Sequence, residues 1–228
     1  MNRPSLQVER KLWRKGFKRV ACLDESGRGP LSGPVVAAAV MIENCELKVA
    51  ETSSHLPQNS ASPRSAIENL RDSKKLSPKK RAEFYKILTR HPAIEWGIGK
   101  VSEKVIDKIN ILEATKLAMK RAIKNLKTKK PKNKKTRIDF LILDGNFKID
   151  LKIPQKSIIK ADEKVFSCAA ASILAKVKRD GIMKRYHKKY PQYGFDRNKG
   201  YGTKFHFNML KKYGPSTIHR LTFKPIKN

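Results

Sequence analysis

The chain has 228 residues, with 52 Lys and Arg against 20 Asp and Glu, a formal net charge of +32. That length suits one substantial core with a small appendage, and the charge exceeds what solubility needs and points to nucleic acid or another polyanion. Cys22, Cys45 and Cys168 form no spaced framework, and no apolar run approaches the ~18 residues of a membrane span or stands behind the basic N-terminus; a disulfide scaffold and a membrane protein are excluded, and a reducing, cytoplasmic setting is expected.

Residues 1–16 are basic and mixed and read as a short helix or arm. Residues 17–23 and 35–42 are β-rich runs joined by a Gly/Pro turn, as in a hairpin, the first ending at Asp24. Periodicity is lost over 43–70, where T-S-S-H-L-P-Q-N-S-A-S-P-R-S reads as a flexible insertion. A helix starts after Ser77, a good N-cap, with Pro78 in its first turn and Phe84, Ile87 and Leu88 on one apolar face. Residues 94–101 read as a strand. Asn110 and Glu113 have capping-box spacing, and behind them Ile111, Thr115, Ala118, Met119, Ala122, Ile123 and Leu126 form one helical stripe. Residues 127–137 are a lysine-rich loop. A buried strand over 138–143 ends at Asp144, and a short strand over 157–159 leads to Asp162. Residues 165–190 read as one long helix whose start, S-C-A-A-A-S-I-L-A-K, is small enough to lie close on a sheet, with Gly181 as a point where it could kink. A last helix is expected at about 204–213. No internal repeat is present. Strands and helices in mixed order, opening with a hairpin, predict an α/β architecture with helices covering a central mixed sheet.

The chemistry sits in four acidic residues. Asp24 and Glu25 lie in V-A-C-L-D-E-S-G-R-G-P, Asp144 in F-L-I-L-D-G-N and Asp162 in S-I-I-K-A-D-E-K. Each reads in isolation as something ordinary: a salt-bridged pair beside a glycine turn, a turn residue before Gly-Asn, a cap on the long helix. Together, in so basic a chain, they form a local negative island suited to holding divalent cations beside a polyanion. Two Mg²⁺ ions about 4 Å apart need several carboxylates from separate elements, and phosphodiester hydrolysis is the natural reaction. Neighbours on a strand point to opposite faces, so Asp24 and Glu25 share a site only if the strand breaks there, and Ser26-Gly27-Arg28-Gly29-Pro30 supplies the break. The Gly-Arg-Gly turn offers N–H donors and a guanidinium to phosphates and sugar hydroxyls. Ser73 and Lys74 in D-S-K-K-L, and the segment A-K-V-K-R-D, are candidate phosphate contacts, although most of these lysines read as solvated surface. His187, His206 and His219 lack metal-ligand spacing and read as structural or surface residues. Tyr201, between two glycines, reads equally as a stacking face for a sugar or base and as a packed loop anchor.

These residues resemble bacterial ribonuclease HII. The matching segments are L-D-E-S-G-R-G-P-L-S-G-P-V-V-A-A-A-V, D-S-K-K-L-S, N-I-L-E-A-T-K-L-A-M, L-D-G-N, A-A-A-S-I-L-A-K-V-K-R-D, Y-P-Q-Y-G-F and K-G-Y-G-T, in the family's order over roughly residues 17–226. The resemblance implies an RNase H-like fold at 17–190, carrying the 43–70 insertion and the 127–137 loop, and a C-terminal helical extension at 191–228. It implies endonucleolytic hydrolysis of RNA in RNA–DNA hybrids and incision at ribonucleotides embedded in duplex DNA, leaving 3′-hydroxyl and 5′-phosphate ends. Mg²⁺ or Mn²⁺ in a two-ion site would be held by the catalytic carboxylates Asp24, Glu25, Asp144 and Asp162. Gly27, Arg28, Gly29 and Tyr201 match the family's sensor of the RNA–DNA junction. The protein is expected to act as a monomer, on nucleic acid and not on a membrane. The chain departs from the family at Ser26, where Ala or Val is common, at Ala161 in place of Gly, and at Asn198 in place of His. The competing readings are a ribonuclease HIII-like enzyme, a sister family with Gly-Lys-Gly and an added N-terminal domain, and a non-catalytic basic RNA-binding protein on the same fold.

Overall fold

The computed structural model describes residues 4–42, 76–126 and 138–226. The 43–70 insertion, the 127–137 loop, Cys45, Ser73 and Lys74 lie outside the described residues. In chain order the elements are α1 (Gln7–Arg14), β1 (Val20–Ser26), β2 (Val35–Ile42), α2 (Pro78–Arg90), β3 (Ile94–Val101), α3 (Glu103–Lys124), β4 (Phe140–Asp144), β5 (Gln155–Ile158), α4 (Phe166–Lys189), α5 (Phe195–Asn198) and α6 (Lys204–Tyr213). One-turn 3₁₀ helices cover Ala161–Glu163 and Pro191–Tyr193.

The five strands form one mixed sheet in the order β3-β2-β1-β4-β5. β1 pairs antiparallel with β2, and β2 with β3; β1–β4 and β4–β5 are parallel. Alternation along the strands feeds two cores. Ala21, Leu23, Ala37, Ala39 and Met41 face the apolar stripe of α3, in which Ala114, Thr115, Ala118, Met119 and Ala122 are buried. On the other side Ala38, Val40 and Ile42 face α2 and the small-residue start of α4. The central β2 is therefore apolar throughout, V-V-A-A-A-V-M-I, with every residue buried. Its alanines bring the helices close. On β3 the fit is tighter still, because a side chain at Gly99 would run into the Ala118 carbonyl of α3.

Local signals in the sequence act as expected at several ends. The Ser77 hydroxyl accepts the Lys80 N–H at 3.3 Å and starts α2. Asn110 takes a non-helical φ of 62°, and its side-chain oxygen accepts from Leu112 N at 2.9 Å and Glu113 N at 3.1 Å. The cap is real, but it lies inside a longer element, because a helical lead-in over 103–109 precedes it. Two expectations are corrected. β1 does not stop before Asp24: Asp24, Glu25 and Ser26 continue to pair with Ala38, Ala37 and Val36, and the chain breaks only at Gly27 (φ 101°). α4 runs unbroken through Gly181.

The N-terminal segment is tied down by one buried carboxylate. Glu9 of α1 accepts from Ser167 N at 3.0 Å and Ser167 Oγ at 2.8 Å, satisfying a free N–H in the first turn of α4. Burial pushes the Glu9 carboxyl above its ordinary range, against these hydrogen bonds. Glu9→Ala should cost about 1–3 kcal/mol, at about 2–4 °C of Tm per kcal/mol, in a thermal melt. Glu9→Gln keeps an acceptor and should lose less. A carboxyl with a raised folded-state pKa contributes stability while protonated and loses it as pH rises through that pKa. The Gln variant should therefore gain on the wild type between pH 5 and pH 8.

Candidate active site

β1, β4 and β5 run parallel, and their carboxyl ends share one edge of the sheet, the usual place for a site in an open α/β sheet. The β1–β4 register pairs Leu23 with Leu143, so the next residues, Asp24 and Asp144, stand side by side. Asp162 comes from the 3₁₀ turn that follows β5. That turn is fastened to β4: Asp144 Oδ1 accepts from Ala161 N at 2.9 Å. One carboxylate oxygen from each of Asp24, Asp144 and Asp162 falls within 4.8 Å of the others. The Ala161 departure is accommodated because the left-handed backbone falls one residue earlier, at Lys160 (φ 56°).

The trio is electrostatically unfavourable by itself. Burial first, then the charges of Glu25, Asp144 and Asp162, push Asp24 well above the usual carboxylate range; a hydrogen bond with Ser172 of α4 opposes them. Crowded carboxylates facing each other out of water call for a cation. The donors are all oxygens, which suits a hard, divalent ion. Glu25 lies outside that group of three, yet its charge is the largest acting on Asp24, and its Oε1 lies 3.5 Å from Arg28 Nη1.

Beyond β1 the glycine turn and Tyr201 adjoin. Gly27 takes positive φ, and a side chain there would collide with Arg179 and come within 2.8 Å of the Pro34 carbonyl. Gly29 is different: a Cβ would meet only the Tyr201 ring, at 3.8 Å, in ordinary contact. Tyr201 is 45% exposed, and the Arg28 guanidinium lies over the Phe147 ring at 5.7 Å. Asn198 braces the tyrosine loop, donating to Tyr193 O at 2.6 Å and accepting from Gly200 N at 2.8 Å.

A family model described as Ribonuclease HII matches residues 60–226. The chain belongs to the ribonuclease HII family. It is 44% identical over 214 residues to the ribonuclease HII of Chlamydia muridarum, covering 94% of this chain and 86% of that one. Identity to the Bacillus velezensis ribonuclease HII is 46% over 221 residues, covering 96% and 75%. The crystal structure of ribonuclease H2 from Pyrococcus horikoshii OT3 superposes with a TM-score of 0.66 at 24% identity, covering 91% of this chain and 95% of that one, a likeness of fold. The protein is thus a ribonuclease H, a metal-dependent endonuclease of a family that acts on RNA–DNA hybrids.

Several residues around the ribonuclease site escaped the sequence reading. Ser172 and Arg179 lie seven residues apart on the sheet-facing side of α4, and that phase with the buried alanines was the available signal. Arg179, in the segment A-K-V-K-R-D expected to contact phosphate, is instead fully buried and donates to the carbonyls of Pro34 (3.0 Å), Lys199 (3.0 Å) and Ser32 (3.1 Å). His206 and His219 are structural, as expected of them, and form a buried pair at 2.9 Å.

The raised Asp24 carboxyl has a measurable consequence. In metal-free protein its contribution is present while protonated and is lost as pH rises through its folded-state pKa. Asp24→Asn should therefore raise the Tm of metal-free protein at pH 8. Adding Mg²⁺ at 100 times its Kd should stabilise the wild type by about 2.7 kcal/mol and the variant far less. Metal binding to the wild type should tighten as pH rises through the raised Asp24 pKa, because a carboxyl binds metal only once it has lost its proton. Calorimetric titration in buffers of different ionisation enthalpy, over a range of pH, would measure the protons released.

Proposed function

We propose that Asp24, Glu25, Asp144 and Asp162 hold Mg²⁺ or Mn²⁺, in a two-ion site, for hydrolysis of the RNA strand in RNA–DNA hybrids and for incision at single ribonucleotides embedded in duplex DNA. The products would carry 3′-hydroxyl and 5′-phosphate ends. The convergence of three carboxylates within 4.8 Å, beside a glycine turn and an exposed tyrosine, carries this reading. A divalent cation held there supplies a Lewis acid to the phosphodiester and a water of lowered pKa.

The chain's own residues bind, orient and select. Ser172 and the Ala161 N–H orient Asp24 and Asp144. Glu25 serves beside the trio, adding to its field and holding Arg28 by the turn. The 2′-hydroxyl marks one ribose among deoxyriboses, and the N–H groups of the Gly27-Arg28-Gly29 turn are donors suited to it. Tyr201 would stack on the neighbouring deoxyribose, where a further 2′-hydroxyl would crowd the ring. The diffuse charge of +32 gives salt-sensitive attraction to any nucleic acid backbone, and Ser73 and Lys74 would add phosphate contacts. The reading extends to a monomer working in the cytoplasm, which the free thiols of Cys22 and Cys168 favour.

Asp24→Asn should lower cleavage of a labelled one-ribonucleotide duplex by several powers of ten while hybrid binding, read by fluorescence anisotropy, is largely kept. Near-normal turnover by that variant in Mg²⁺ would remove the trio from the chemistry. Gly29→Ala is the sharper probe of the turn. It has room for its methyl and should melt within about 1 °C of the wild type, yet the methyl stands where the sugar must approach. Incision should fall by about tenfold or more, since small misplacements near the reacting group are costly. Tyr201→Ala should weaken incision at the single ribonucleotide more than affinity for all-DNA duplex. An equal loss in both would make Tyr201 a packing residue.

A further inference from the structure

Two neighbouring side chains near the C-terminus reach both halves of the proposed junction sensor. Arg220 is fully buried, with 0% exposure, and its guanidinium goes to main-chain carbonyls: Nη2 to Gly27 O at 2.6 Å and Gly33 O at 2.8 Å, Nη1 to Arg28 O at 2.8 Å, Nε to Gly33 O at 3.0 Å. A buried cation is costly unless hydrogen-bonded throughout, and here the bonds decide where the turn points. The Gly27 carbonyl shares a planar peptide with the Arg28 N–H, and the Arg28 carbonyl shares one with the Gly29 N–H. In a trans peptide the two groups point in opposite directions. Gripping both carbonyls from inside therefore aims both N–H groups outward. Neither N–H donates to a backbone acceptor among the described residues.

His219 acts on the other half. Ser216 N donates to His219 Nδ1 at 2.8 Å, so the proton of the neutral ring lies on Nε2. His219 Nε2 then donates to His206 Nε2 at 2.9 Å, which leaves the His206 proton on Nδ1, donating to the Tyr201 carbonyl at 2.9 Å. Burial lowers both imidazole pKa values, His219 to about 4, so the chain of neutral rings holds at neutral pH. The backbone closes the unit: Arg220 N donates to Leu31 O, and Leu31 N to Gly200 O, each at 2.8 Å.

We infer that Arg220, His219 and His206 are positioning residues for substrate choice, locking the outward N–H groups of the glycine turn and the Tyr201 loop into one unit that fits a ribonucleotide followed by a deoxyribonucleotide. The inference rests on the junction reading above. It places the origin of selectivity in buried groups that touch neither the substrate nor the aspartates.

The test compares kcat/KM on two substrates of one sequence, a DNA duplex with a single embedded ribonucleotide and a hybrid with a continuous RNA strand. The proteins are the wild type, Tyr201→Ala, Arg220→Lys and His206→Phe. Lysine keeps the charge but not the planar fork, and phenylalanine keeps the ring volume but severs the bond to Tyr201. The one-ribonucleotide to hybrid ratio should fall by about tenfold in all three variants. Each should keep a Mg²⁺-induced rise in Tm, which reports an intact aspartate site. If Tyr201→Ala shifts the ratio while Arg220→Lys and His206→Phe lower both rates equally, the three residues are merely structural and the inference is wrong, with the junction reading intact. An unchanged ratio in Tyr201→Ala overturns the junction reading and the inference with it. If Arg220→Lys gives no cooperative melt, the ratio in His206→Phe decides alone.

Discussion

The constraint on which this structure turns is the parallel register of β1 and β4. Leu23 pairs with Leu143, so Asp24 and Asp144 emerge together at the carboxyl edge of the sheet, and the turn after β5 adds Asp162. Within 4.8 Å, three carboxylates repel, and the burial of Asp24 and Asp162 removes much of the water that would screen them. Among the described residues, Asp24 and Asp144 are held by a hydroxyl and main-chain amides: Ser172, Ala161 N, and Glu25 N, which donates to Asp24 Oδ1 at 2.6 Å. Such neutral donors orient the oxygens without cancelling their charge, which suits a divalent cation.

Part of the chain's positive charge is used in a way that charge counting does not reveal. Arg179 and Arg220 are among the largest fully buried side chains in the protein. Both donate to main-chain carbonyls of the segment between β1 and β2, and Arg179 reaches the Lys199 carbonyl as well. That segment lies between the end of β1 at Ser26 and the start of β2 at Val35, and its backbone pairs through a bridge from Ser32 to His219. Two planar guanidinium forks add to that pairing, each reaching several carbonyls at once. Gly27 belongs to this arrangement, because the space a side chain would need is filled by Arg179.

The helices serve the same edge. α4 can lie close to the sheet because its first three turns are mostly Ala, Ser and Cys, and Glu9 of α1 satisfies the turn from which it starts. Along its sheet side Ser172 meets Asp24, and two turns on Arg179 meets the glycine turn. One helix therefore sets both the metal-binding and the sugar-reading parts of the proposed site.

Much of this was legible in the chain alone. The boundaries of β2, β3 and α6 follow from hydrophobic runs and flanking turn residues. The Ser77 and Asn110 caps follow from local hydrogen bonding. The three converging aspartates could be picked out because acidic residues after apolar runs are conspicuous in a basic chain. Periodicity could not show that β1 continues past Asp24, because pairing with β2 and not local composition decides where that strand ends. Nor could the sequence assign Arg179 to the interior, since its lysine-rich surroundings read as surface and only the phase of α4 betrays it. Arg220 and Gly27 are 193 residues apart, and no local pattern links positions so distant. The sequence by itself determined the elements, the acidic chemistry and the family, because these depend on residue type and short-range spacing. The tertiary structure alone decided which carboxylates meet, which cations are buried and which way the turn's donors face, because those depend on register and on groups brought together only when the sheet and helices close.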